Sequence, residues 1–201
     1  MAEEFDGLRR TLLAGLAVLP LAGVVSSAGA ASRGAPAGNA GNAHSLVVYF
    51  SRSGNTRVVA GLIQRAVGAD IFELNPATPY PADYLQTVAQ AKHETDTGFE
   101  PGLAGVPDLE RYQTIFLCFP IWGMTVPPVI RTLLHARNFS GKTIVTFITH
   151  GGYGTGNSLS VISSHAPGAR LLPGFSMPAD QERTTMERVN AWIAGAGIKT
   201  A

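Results

Sequence analysis

The sequence predicts an α/β domain built on a five-stranded parallel sheet with helices on both faces. Two observations carry this. Five short apolar runs alternate with segments of helical period, the pattern of repeated βα units. Three of the runs, the first, third and fourth, are unbroken, as strands buried on both faces should be. The other two are interrupted: Glu73 falls in the second and Pro173 in the fifth. Proline removes a ladder donor, so both runs belong at sheet edges. Strand order 2-1-3-4-5 meets that demand, although other orders also have two edges.

Each element has its own warrant. Leu46 to Phe50 is the first strand, and Val58, Val59, Leu62, Ile63 and Val67 then recur at helical spacing. Ile71 to Leu74 is the second strand, ended by Asn75-Pro76. Residues 82–93 make a moderate helix with Leu85, Val88 and Ala89 on its apolar face, and a loop runs from Thr95 to about Val106. Thr114 to Phe119 is the third strand. Pro127-Pro128 open a helix with Val129, Ile130, Leu133 and Leu134 inward. Thr143 to Ile148 is the fourth strand, and Ser158 to Ser164 a weak helix. Ala169 to Phe175 is the fifth strand. Arg183 to Ala194 closes the domain with Met186, Val189, Trp192 and Ile193 inward.

The start of the chain is different. Arg9-Arg10 precede an apolar run from Leu12 to Val25, and small residues end in Ala28-Gly29-Ala30. That arrangement reads as an export signal over residues 1–30. The run is shorter than the roughly 20 residues that span a bilayer. The expected location is periplasmic or extracellular, by the twin-arginine or the ordinary secretory route; the alternative is an uncleaved membrane anchor. Residues 31–44, rich in Ala, Gly and Asn, form a linker. The folded domain is expected over 45–198, with no stable membrane span once the signal is removed.

Composition narrows the function. A net charge of +1 argues against a general nucleic-acid binder. Loss of residues 1–30 removes two arginines and three acids and leaves +2, so no strong surface field follows. Cys118 is the single cysteine, which excludes an internal disulfide. The five histidines show no metal-ligand spacing, so no metal is expected.

In a parallel sheet a ligand sits beyond the carboxyl ends of the strands. The first loop there is Ser51-Arg52-Ser53-Gly54-Asn55-Thr56, at the start of a helix. Its hydroxyls, amide and glycine join open helix N–H groups, which favour an anion; this is a cradle for a monophosphate. The second loop is Pro120-Ile121-Trp122-Gly123-Met124-Thr125, where Trp122 either stacks on a ligand ring or packs as core. The third begins Thr149-His150-Gly151-Gly152-Tyr153-Gly154, whose glycines let backbone approach a flat ring. Tyr153 is a second stacking candidate. His150 is either satisfied within its loop or set at the ring edge.

Other motifs fail. Gly141-Lys142-Thr143 lacks the earlier glycine of a nucleotide P-loop and precedes a strand. Cys118 lacks the arginine that a phosphatase thiolate needs, since Met124 stands there.

Residues 49–56, together with Pro79-Tyr80-Pro81, Asp83-Tyr84, Phe119 to Gly123, Phe139 to Thr143 and Thr149 to Gly152, resemble the flavodoxin superfamily, and within it the short flavodoxin-like, FMN-binding group. The resemblance spans roughly residues 45–196 and implies the sheet order 2-1-3-4-5. It implies non-covalent FMN, its phosphate held by Ser51, Ser53, Asn55 and Thr56. The flavin would lie between the second and third loops, and the Trp122–Gly123 peptide would turn over when the flavin gains a proton at N5. The implied activity is electron transfer with a redox partner protein. An FMN-dependent NAD(P)H:quinone-type oxidoreductase, with a small quinone-like acceptor, is the alternative, although no nicotinamide site is recognisable. One departure stands out. Typical flavodoxins are strongly acidic, whereas this chain is near neutral and carries Arg52 within the phosphate loop.

Overall fold

Among the described residues, five strands and five helices alternate strictly. The structure, a computed structural model, describes residues 44–178 and 182–196, with side chains of the closing helix described from Arg188. The expected export signal and residues 31–43 of the linker lie outside the described residues. No described helix is long and apolar enough to cross a membrane.

The elements are β1 Ser45–Tyr49, α1 Asn55–Val67, β2 Asp70–Glu73, α2 Tyr84–Thr97, β3 Thr114–Pro120, α3 Pro128–Ala136, β4 Thr143–His150, α4 Ser158–His165, β5 Arg170–Pro178 and α5 Glu182–Gly195. The sheet is parallel throughout, in the order β2-β1-β3-β4-β5. The interrupted strands lie at its edges, and Pro173 is exposed there, where no neighbour needs its missing N–H.

Alternate residues of the central strands point to opposite faces, so two cores form. Leu46, Val48, Ile115, Leu117, Phe119, Ile144 and Ile148 face Val129, Ile130, Leu133 and Leu134 of α3 and Ile162 of α4. On the other face Val47, Phe116, Cys118 and Phe147 meet Val59, Ile63 and Val67 of α1 and Val189 and Ile193 of α5. Each large side chain withdrawn from water contributes about 1.5–3 kcal/mol. Val58 is the exception on α1: it is 40% exposed, because the buried stripe of that helix runs through its neighbour Val59.

The second helix departs most from expectation. It runs four residues further than 82–93, to Thr97, and ends at left-handed Gly98. The expected apolar face is outward: Leu85 is 74% and Val88 45% exposed. The face turned inward carries Thr87, Ala91 and Glu94. Hydrogen bonds satisfy it. The Thr87 hydroxyl donates to Pro81 O at 2.7 Å and Asp83 O at 3.0 Å. Glu94 accepts from the Tyr80 hydroxyl at 2.7 Å and from Gln90 at 2.8 Å. Buried polar groups with partners can replace apolar ones at an interface.

Gly141-Lys142-Thr143 has a plain structural task. Lys142 Nζ donates to Leu109 O and Tyr112 O at 2.7 Å each, at the amino-terminal end of β4 and away from the ligand end of the sheet. Cys118 is fully buried, and burial pushes its thiol well above the ordinary range, so it stays protonated.

Candidate functional site

The carboxyl ends of β1, β3 and β4 lie side by side, which gathers the three loops. Backbone bonds continue past the strands: Phe50 N–H donates to Cys118 O at 3.0 Å and Ile121 N–H to Thr149 O at 2.8 Å.

The first loop turns sharply into α1. Gly54 is the N-cap at φ 94°, a left-handed conformation that suits glycine. Its N–H donates to the Ser51 hydroxyl at 3.1 Å, which folds the loop back on itself. The first bond of the helix is Val58 N–H to Gly54 O at 3.1 Å. Among the described residues no side chain caps α1, so the amides of Asn55, Thr56 and Arg57 are left open at the positive end of the helix dipole. No acid stands in the first turn to repel an anion. The guanidinium of Arg57 is drawn aside to Glu73 at 2.6 Å.

Arg52 does not point across this opening. Its Nη2 donates to Ala82 O at 2.8 Å and its guanidinium lies 5.7 Å from the Tyr84 ring centroid. It ties the first loop to the start of α2. Ser53 is exposed, while Thr56 is buried and shares a 2.8 Å hydrogen bond with the Thr149 hydroxyl. That pair joins the first loop to the end of β4.

The second loop is a tight turn closed by two bonds, Trp122 N–H to Thr125 O at 3.1 Å and Thr125 N–H to Trp122 O at 3.2 Å. Gly123 at φ 57° and Met124 at φ 67° occupy its corners, both left-handed. The Trp122 ring meets Phe50 edge-on at 5.2 Å and Tyr80 at 4.9 Å between centroids. It is only half-buried: one side packs as core, as one of its two expected roles required, and the rest lines an open cleft of about 410 Å³. Arg52, Tyr84, Val88 and Gly123 line the same cleft. The Tyr80 hydroxyl is held strongly in its protonated form by burial, reinforced by the bond to Glu94.

The third loop is organised by His150. Its Nδ1 accepts from Gly152 N–H at 3.1 Å and Gly154 N–H at 3.4 Å. Nδ1 is therefore the lone-pair nitrogen, and the proton resides on Nε2. Tyr153 is 80% exposed, and its ring stacks on none of the described aromatic residues. Asn157 N–H donates to Met124 O at 3.0 Å, locking the third loop to the second. Gly156 makes this contact possible: a Cβ there would lie 1.8 Å from Met124 O.

The donor set suits a phosphate-bearing cofactor. Three open amides stand at the start of α1 with no acid in its first turn, and the exposed Ser53 and buried Thr56 flank them with hydroxyls. The aromatic wall of Phe50, Tyr80 and Trp122 stands beside it. The sequence located the polar loop but not this wall, since Tyr80 reaches it from 30 residues away from Phe50.

A family model described as Flavodoxin matches residues 44–196. This chain belongs to the flavodoxin family. Among solved structures, a candidate flavoprotein from Bacteroides eggerthii DSM 20697 is 29% identical, with a TM-score of 0.68 over 79% of this chain and 100% of that one. A second, from Bacteroides uniformis ATCC 8492, is 28% identical with a TM-score of 0.65, covering 74% and 98%. The flavoprotein of Lactobacillus acidophilus NCFM in complex with FMN shares the fold at 20% identity and a TM-score of 0.57, covering 72% and 99%. No curated protein sequence matches the chain.

Proposed function

We propose that this flavodoxin binds FMN non-covalently and passes electrons through it to a redox partner protein. One observation carries the reading: α1 opens with free amides and flanking hydroxyls, no cap and no acid. Ser51 shapes the cradle, Ser53, Asn55 and Thr56 supply donors to the phosphate, and Gly54 gives the turn. Pro120 and Ile121 lead into Trp122 and Gly123 on one side of the ring, and Thr149 to Gly154 flank the other. When bound, FMN supplies the redox chemistry, and the protein supplies orientation and electrostatics. The Lactobacillus flavoprotein, crystallised with FMN on the same fold, supports the choice of cofactor.

Fluorescence titration with FMN and with riboflavin tests this reading. Charge-assisted hydrogen bonds contribute about 1.5–3 kcal/mol each, so losing the phosphate should weaken binding by roughly 100-fold or more. Equal affinity for the two flavins would overturn the assignment.

A second reading, an FMN-dependent NAD(P)H:quinone-type oxidoreductase, is favoured by the cleft beside Trp122 and Gly123, which has room for a small quinone-like acceptor. Dithionite reduction, followed by NADPH with a quinone, separates the two. Rapid NADPH oxidation favours the enzyme, and background turnover the carrier. Export behind residues 1–30 belongs to the same proposal. Cell fractionation checks it, with the mature protein expected outside the cytosol.

A further inference from the structure

Behind the β3 loop lies a second cleft, of about 460 Å³, lined by Gly123, Thr125, Arg131 and Asn157 and ending at three ligand-type side chains. They are Glu100, His135 and His165, and one ligand atom of each lies within 4.8 Å of the other two. Sequence spacing hides the group, because it comes from three separate elements: the loop after α2 and the last turns of α3 and α4. We propose that these three residues form a binding site for a divalent transition cation of the zinc class.

The chemistry of the donors sets the class. Two imidazoles and a carboxylate suit zinc and its first-row neighbours, whereas magnesium and calcium take all-oxygen shells. Three protein ligands leave a fourth position for water, and the His135 side chain is 54% exposed, so an ion can enter from solvent.

The protonation pattern is already suited to metal. His165 Nδ1 lies 2.8 Å from Val161 O, and a carbonyl only accepts. Nδ1 therefore carries the proton, and in the neutral ring Nε2 keeps its lone pair. Fixing a histidine through a backbone carbonyl in this way is what orients metal-bound imidazoles. His135 Nδ1 lies 2.8 Å from Glu100 Oε2, the carboxylate partner that either orients such a ring or joins the ligand set. The two rings are stacked, with centroids 4.6 Å apart and 26° between planes, and each offers a nitrogen within 4.8 Å of the other ligand atoms.

Small movements complete the site. Tetrahedral ligands about 2.0–2.1 Å from zinc are roughly 3.3 Å from one another, so no pair here must close by more than about 1.5 Å. Half-exposed side chains make such shifts by rotation. Electrostatics agree, because α3 and α4 both direct the negative end of their dipoles here. The guanidinium of Arg131 lines the same cleft, but Glu94 O and Phe99 O hold it at 3.2 and 3.1 Å.

Isothermal titration of the chelator-treated full-length protein with zinc chloride tests the site without reference to flavin. One saturable equivalent is expected, and none with magnesium chloride. His135→Ala, His165→Ala and Glu100→Gln should each weaken zinc binding at least tenfold, whereas His93→Ala should not. At 100 times its dissociation constant, zinc should raise the melting temperature of the wild type by about 5–10 °C. Crystals soaked in zinc should show anomalous density between the three side chains, a result independent of how the variants fold. Absence of saturable binding, retention of it in all three variants, or a zinc peak elsewhere would each overturn the assignment.

Discussion

Helices α1 and α2 both begin at the carboxyl end of the sheet, yet they treat their first turns oppositely. At α2 the Asp83 carboxylate accepts from Gln86 N–H at 2.9 Å, so the helix holds its own anion. At α1 the N-cap is Gly54, which has no side chain to offer. A cap satisfies one helix and adds stability locally. An open end leaves the same amides for a ligand. On the proposed function, the contrast gives stability to one terminus and binding to the other.

The strongest way to break that contrast is to give α1 the cap of α2. Gly54→Asp places a carboxylate where the phosphate should sit, and aspartate tolerates the left-handed conformation better than most residues. FMN affinity by fluorescence quenching should fall by more than about 100-fold. Thr56→Val is the next largest change. It removes a buried hydroxyl donor and leaves Thr149 without its partner, so FMN binding should weaken by roughly 10- to 100-fold.

Asp83→Ala makes the reverse exchange. It should lower stability by about 1 kcal/mol, a drop of about 2–4 °C in a thermal melt. FMN affinity should stay within about threefold. If affinity falls as far as it does in Gly54→Asp, the division between the two termini is wrong. The smallest expected signal is at Cys118. Burial raises the thiol pKa, and only the deprotonated form reacts, so iodoacetamide at pH 8 should leave the folded protein unmodified and label it after unfolding.

The sheet and the polar turn into α1 were legible because both are local. The strands Leu46–Phe50, Thr114–Phe119 and Thr143–Ile148 are continuous apolar runs, and the structure keeps them within a residue or two. Ser51 to Thr56 is contiguous, so its chemistry can be seen without the fold. The α2 face was not legible. Its burial depends on Tyr80 reaching Glu94 and on Thr87 reaching Pro81, pairings between side chains and backbone that no hydrophobic period records. His135 and His165 meet only because α3 and α4 end together, which sequence separation cannot show.

The bond between Thr56 and Thr149 has one further property. Either hydroxyl can donate, so the pair has two directions of polarity. An acceptor in the cradle that claims the hydrogen of Thr56 leaves only one, with Thr149 donating towards it. An anion bound beside α1 would thereby be registered at the end of β4, the strand that leads into the glycine-rich loop, through the direction of a single hydrogen bond.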